Sequence, residues 1–171
     1  VNSQRMGRDA LRDSLTEDGV LANRASWCEE AVLLPDQPGP GTTWQYGAGL
    51  YNIQEEIAML PAMVLDPQPG ERILDLCAAP GNKTMQMALM MQNKGTIVAN
   101  DINNQRMSIV SHKINRLGLF NICTTQYDAG NYPGAAGLFD RVMADVPCSN
   151  EGPARQNPVL HNRGLENRIQ K

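Results

Sequence analysis

Apolar and polar positions alternate along most of this chain in two rhythms. Short apolar runs occur at Arg72-Ile73-Leu74-Asp75-Leu76, at TIVAND (96–101), at ICTTQ (122–126) and at DRVMADV (140–146), and each predicts a short, largely buried strand. Between them the period lengthens. A Met-rich stretch from residue 83 to about 93 predicts a helix ended by Gly95, and Met107, Val110, Ile114 and Leu117 share one face of a second helix closed by Gly118. Ahead of the first strand, GLYNIQEEIAMLPAMVLD predicts a helix from about Asn52, with Asn52 as its cap and Glu55 near its positive end. Ile53, Ile57, Leu60 and Val64 would form its apolar face, and Pro61 should kink or split it.

Residues 1 to about 30 show no clean period and read as a partly helical remnant. PDQPGPGTTWQYGAG (35–49) is dense in Pro and Gly and reads as a loop or linker. The expected organisation is therefore an N-terminal remnant with linker over 1–50, followed by one domain over 51–171. Strand and helix alternation in that domain predicts an α/β fold built on a parallel, doubly wound sheet. Such sheets bind ligands beyond the carboxyl ends of their strands.

Composition narrows the function classes. With 171 residues, 42% of them apolar and 19% charged, the chain has material for one ordinary core. No run approaches the roughly 18 apolar residues of a membrane span, and VNSQRMGRDALRD lacks the apolar stretch of a secretion signal, so a cytoplasmic protein is expected. A net charge of −3 argues against a nucleic-acid clamp held by a broad basic face. Cys28, Cys77, Cys123 and Cys148 are spaced too widely for a zinc knuckle or a CxxC pair, so free thiols and no metal are expected.

The chemistry gathers at strand ends. Asp75, Asp101, Asp128 and Asp145 each close a predicted strand, and CAAPGNKT leads from the first into a helix. A Gly- and Pro-containing loop lets backbone N–H groups approach a ligand, and an acid ending the second strand suits ribose hydroxyls. Strand-end acids also commonly cap helices. Neither GxGxxG nor GxxxxGK[ST] is present, which favours S-adenosylmethionine over NAD or ATP.

DLCAAPGNKT, VAND, FDRVMADVPCSNEGPAR and GLYNIQEEIAMLP together resemble the Nop/Sun (NSUN) RNA cytosine-C5 methyltransferases. Within that family the chain looks closest to the bacterial enzymes acting on small-subunit rRNA, an impression to which WCEE (27–30) contributes. The resemblance covers roughly residues 27 to 160. It implies a Rossmann-like methyltransferase fold, here truncated after the fourth strand, and methyl transfer from S-adenosylmethionine to cytosine C5 in RNA, rRNA first and tRNA second.

By that resemblance the cofactor contacts are Cys77, Ala78, Ala79, Pro80, Gly81, Asn82, Lys83, Asp101, Asp128 and Asp145. Asp145 would face the cytosine, Cys148 would assist product release, Lys83 would balance nearby carboxylates, and Arg155 would meet an RNA phosphate. The family's attacking cysteine sits in a later TCS-type motif that is absent from this sequence. With no initiator Met and a stop at Ile169-Gln170-Lys171, the chain reads as a fragment that binds cofactor without turning over, and its unpaired fourth-strand edge would favour self-association.

Several positions depart from the family pattern. Asn82 and Asn150 replace glycines, Ile57-Ala58 replaces a Ser-Ser pair, and Gln156-Asn157 replaces Lys-Asp. A degenerate, non-catalytic cofactor- or RNA-binding module is the alternative these departures leave open. A DNA cytosine-C5 methyltransferase is the other, disfavoured by the missing FxGxG motif and PCQ context. Trp44 and Tyr46 can stack on bases or pack back on the domain.

Overall fold

The computed structural model describes residues 1–36, 39–133 and 137–146. Helix α1 (Arg8–Glu17) buries Leu11 and Leu15 and is followed by a small antiparallel hairpin, β1 (Asn23–Arg24) with β2 (Val32–Leu33). Leu11 and Leu15 pack with Val20, Ala22, Leu50 and Tyr51 in a small core of their own. The Pro/Gly-rich stretch that follows forms a 3-10 turn (Pro40–Thr42) and a short helix α2 (Trp44–Gly47), capped by the Thr43 side chain accepting from the Tyr46 N–H.

Polar bonds fasten this segment to what comes later. Asn2 Nδ2 donates to the carbonyls of Gly49 (3.0 Å) and Leu117 (2.9 Å). Arg116 donates to the carbonyls of Tyr46 (2.7 Å) and Tyr51 (2.9 Å), and its guanidinium lies 3.8 Å from the centroid of the Tyr46 ring. Tyr46 is thus committed to the fold. Trp44 remains more exposed, its indole N–H bonded to Asp18 Oδ2 at 2.7 Å.

Helix α3 spans Glu56–Leu65, starting later than the sequence pattern indicates. Asn52 does not cap it; the Asn52 side chain is engaged with Asn82 and Arg116. Nor is the expected apolar face the buried one. Ile57 is 73%, Leu60 42% and Val64 84% exposed, whereas Ala62 is fully buried and Leu65, Met59 and Met63 pack against neighbouring clusters. The helix is apolar nearly all round, so periodicity does not say which stripe meets the sheet. It runs unbroken through Pro61.

From there strand and helix alternate: β3 (Arg72–Asp75), α4 (Asn82–Met90), β4 (Thr96–Asn100), α5 (Asn104–Leu117), β5 (Ile122–Thr125) and β6 (Arg141–Met143). The four strands form one parallel sheet in the order β5-β4-β3-β6. Side chains alternate across the pleat. Ile73, Ile97, Ala99 and Met143 meet α3, α4 and α5, including the fully buried Met85 of α4 and Met91 just after it. Leu74, in register with Val98 and Val142, belongs to the opposite face, and among the described residues no helix joins the core from that side.

Gly49 holds the chain where it passes α5. Its φ is +71°, and a Cβ there would sit 2.0 Å from the Arg116 carbonyl oxygen. Gly70 also has a positive φ, +97°, but has open space around it. Gly49→Ala should therefore lower the urea-unfolding free energy by roughly 2–4 kcal/mol, against roughly 1–2 kcal/mol for Gly70→Ala, where strain acts without a clash.

Candidate active site

The site is built where β3 ends. Backbone pairing continues past the strand, with Leu76 N–H donating to the Met143 carbonyl (2.9 Å) and Ala78 N–H to the Asn100 carbonyl (2.7 Å). Cys77 to Gly81 then turn toward α4, with Ala79–Pro80 in the cis form. Gly81 carries the left-handed backbone, φ +94°, and a Cβ there would approach Val110 of α5 to 3.3 Å. Asn82 needs no such geometry, because it is the first residue of α4 and has no positive φ. Its Oδ1 accepts from Lys113 Nζ and from Asn52 Nδ2, so its side chain faces the N-terminal segment.

Asp75 is buried to 1% exposure. Thr84 Oγ1 donates to its Oδ2 at 2.6 Å, while Oδ1 is buried without a hydrogen-bond partner. Burial pushes the carboxyl pKa up to about 6 and Asp145 adds to the rise; Thr84, the Cys77 N–H and Lys83 oppose it. Although its influence is felt, the Cys77 N–H does not reach hydrogen-bond geometry with the orphaned oxygen.

Asp101 is likewise buried. Oδ1 accepts from Asn103 N–H (2.9 Å), and Oδ2 accepts from Ala79 N–H (3.2 Å) with Arg106 at 3.5 Å. Arg106 also donates to the Ala79 carbonyl, joining α5 to the loop. Asp145, half exposed two residues beyond β6, receives Lys83 Nζ at 2.6 Å on Oδ2. Asp128 follows β5 and accepts from the Gly130 N–H at 3.0 Å, capping the turn Ala129–Asn131.

Cys77 reports how closely these groups converge. Burial pushes its thiol pKa up, and the carboxylates of Asp101, Asp75 and Asp145 push it further. The structure thus brings Cys77, Lys83, Asp75, Asp101 and Asp145 together, with Asp128 one strand farther along the rim. Cys148, Asn150 and Arg155 lie outside the described residues.

Sequence reasoning does not single out Thr84, Asn100, Arg106, Ile102 or Tyr127. Thr84 carries a readable signal, being a polar residue among the buried positions of α4. Ile102 and Tyr127 are 65% and 48% exposed beside Asp101 and Asp128, and offer apolar surface where an aromatic ring can lie. A separate cleft of about 790 Å³, between the N-terminal segment and helices α3 and α4, shares Asn82 with the rim. Glu30, Asp36, Glu55, Glu56 and Asp66 line it, a setting that repels phosphate.

A parallel sheet with an acidic carboxyl rim and a Gly-Pro loop opening a helix defines the Rossmann-like methyltransferase class. The chain superposes on a methyltransferase homolog protein from Pyrococcus horikoshii with a TM-score of 0.82 and 30% identity, covering 98% of this chain and 53% of that one. More narrowly, it belongs to the 16S rRNA methyltransferase RsmB/F family, whose model matches residues 62–171. It is 40% identical over 162 residues to a human 28S rRNA (cytosine(4447)-C(5))-methyltransferase, covering 94% of this chain and 20% of that protein. It is 36% identical to ribosomal RNA small subunit methyltransferase F of Shewanella amazonensis, covering 93% and 35% respectively. The chain thus spans about a fifth to a third of the curated relatives it matches. No described helix is long and apolar enough to cross a membrane, and no metal-binding group of His, Cys, Asp or Glu occurs among the described residues.

Because its folded pKa is raised, Asp75 contributes stability that is complete below its ordinary value of 3.8 and is lost as pH rises through about 6. Asp75→Asn removes this dependence. The stability advantage of the variant over the parent should therefore shrink by roughly 2 kcal/mol between pH 7.5 and pH 4.5 in urea unfolding.

Proposed function

We propose that this chain is the cofactor-binding core of an RNA cytosine-C5 methyltransferase using S-adenosylmethionine, with rRNA as the substrate class and tRNA as the second RNA to test. The observation that carries this reading is the convergence of Asp75, Asp101 and Asp145 on the Cys77–Gly81 loop, with one Asp75 oxygen still lacking a donor. S-adenosylmethionine fits such a rim, since it brings an ammonium, a sulfonium and a ribose diol. NAD or ATP would bring phosphates against carboxylates. The relatives, named as rRNA cytosine-C5 methyltransferases, support the choice of base and of RNA.

In this reading Asp101 takes the ribose, and the exposed faces of Ile102 and Tyr127 flank the adenine beside Asp128. Asp75 and the loop 77–83 hold the methionyl end. When bound, the cofactor supplies an electrophilic methyl group. Cytosine C5 is too weak a nucleophile to take it unaided, so a thiolate adds to C6 and shifts electron density to C5. C5 then bonds to the methyl carbon as its bond to sulfur breaks. Loss of the C5 proton and elimination of the thiolate restore the ring. Asp145 eases addition at C6 when its carboxyl group carries a proton that it donates to N3, and Lys83 fixes its orientation. Cys148 assists the elimination, and Arg155 holds an RNA phosphate.

Neither Cys77 nor Cys28 suits the attack, because burial foremost raises both thiol pKa values and a thiolate is required. The family's attacking cysteine belongs to a TCS-type motif that this sequence lacks, so the chain alone should bind cofactor and transfer no methyl group. Residues 51–171 are the binding domain in this reading, with 1–50 preceding it. Strand β6 pairs on one side only among the described residues, Val142 within it and Val146 beyond it are exposed, and we propose that copies associate through this edge.

Calorimetric titration with S-adenosylmethionine tests the assignment. Asp101→Ala should weaken binding about tenfold or more, the scale of a lost charge-assisted hydrogen bond. Unchanged affinity in the variant, or no binding by the parent, would overturn it. Sedimentation should show concentration-dependent association that Val142→Lys abolishes; a parent that stays monomeric across the range removes the edge proposal.

A further inference from the structure

Asn100 ends β4 with a side chain that is fully buried yet polar, in a strand whose neighbouring positions are Val98 and Ala99. All of its hydrogen-bonding capacity is used. Nδ2 donates to the carbonyls of Leu76 (3.0 Å) and Tyr127 (2.9 Å), and Oδ1 accepts from Thr125 Oγ1 (3.0 Å) and the Tyr127 N–H (2.8 Å). A carboxamide is the side chain of this length with two donors and a two-lone-pair acceptor. An aspartate would set carboxylate oxygens against two carbonyls, and a leucine would leave several buried polar groups unpaired.

The partners are not scattered. Leu76 immediately precedes Cys77 and the loop to α4. Tyr127 immediately precedes Asp128. Asn100 itself immediately precedes Asp101, and its own carbonyl accepts from the Ala78 N–H at 2.7 Å. Its side-chain partners Leu76 and Tyr127 each lie one position from a wall of the rim, and Thr125 lies three from Asp128, on the two strands that flank β4. Three of its four side-chain bonds go to backbone groups beyond the ends of β3 and β5, where a residue needed only to fill the sheet has no reason to bond.

We infer that Asn100 is the positioning residue of the cofactor cleft: it fixes the separation between the Cys77–Gly81 loop and the Asp128 turn, with Asp101 between them. The inference rests on the S-adenosylmethionine reading above. It assigns Asn100 no contact with the ligand. Its effect is to hold two walls at a spacing that a ligand bridging both must otherwise impose at its own expense.

The test compares S-adenosylhomocysteine affinity, by calorimetry at 15 °C, in the parent, Asn100→Ala, Asn100→Asp and a control, Asn121→Ala. Asn121 is also a buried amide, but it lies before β5 at the opposite end of the sheet, bonded to the Lys94 carbonyl. Thermal unfolding places the variants on a common stability scale. A fivefold or greater rise in Kd for both Asn100 variants, with Asn121→Ala within twofold of the parent, is the expected result. A rise below fivefold in folded Asn100 variants, or an equal rise in the control, overturns the inference. Should neither Asn100 variant fold, Thr125→Val removes one of the four bonds without changing shape, and a Kd within 1.5-fold of the parent then overturns it. Absence of binding by the parent would instead sink the cofactor assignment itself.

Discussion

Parallel pairing is the constraint on which the rest of this molecule depends. In an antiparallel sheet, consecutive strands would send their terminal residues to opposite edges. Here β3, β4, β5 and β6 all run one way, so residues separated by dozens of positions end at one rim. That rim concentrates acids, and concentration is costly. Burial foremost, and then the neighbouring acids, raise the pKa of both Asp75 and Cys77. Asp101 accepts from the N–H groups of Ala79 and Asn103 and lies beside Arg106. Polar atoms this tightly arranged leave few ways for the loop after β3 to lie.

Much of this was legible in the sequence because strands and rims have strong local signatures. Four apolar runs, each ending near an acid, mark the strands to within one to three residues, and the CAAPGNKT loop marks the turn into α4. The face of α3 was not legible. Ile57, Leu60 and Val64 have helical spacing as good as that of the residues that are buried, and only tertiary packing chooses Ala62 and Leu65. Asn52 has the chemistry of a helix cap but finds better partners in Asn82 and Arg116, both far away in sequence. Asn82 takes the place of a family glycine at no conformational cost, because the left-handed residue is its neighbour Gly81. Asn100 hides for a related reason: nothing local to VAND announces partners on two other strands.

The first fifty residues show how a segment without a clear period can still be specified. Its apolar groups form a separate small core, while its attachment to α5 is mainly polar and runs through Arg116 and Asn2. Such attachments depend on backbone carbonyls, which carry no sequence signature at all. The acceptor side of each bond is therefore invisible until the fold is known.

The pairing of charges at the rim has a bearing on turnover. Among the described residues Asp75, Asp101 and Asp145 face Lys83 and Arg106, one more carboxyl group than cations. In the proposed reading the incoming cofactor is a sulfonium cation, and the spent one is a neutral thioether. A surface with that residual charge holds the loaded form by Coulomb attraction and loses that attraction at the moment of transfer. Exchange of spent for fresh cofactor would then be driven by the reaction's own change of charge, with no moving part required.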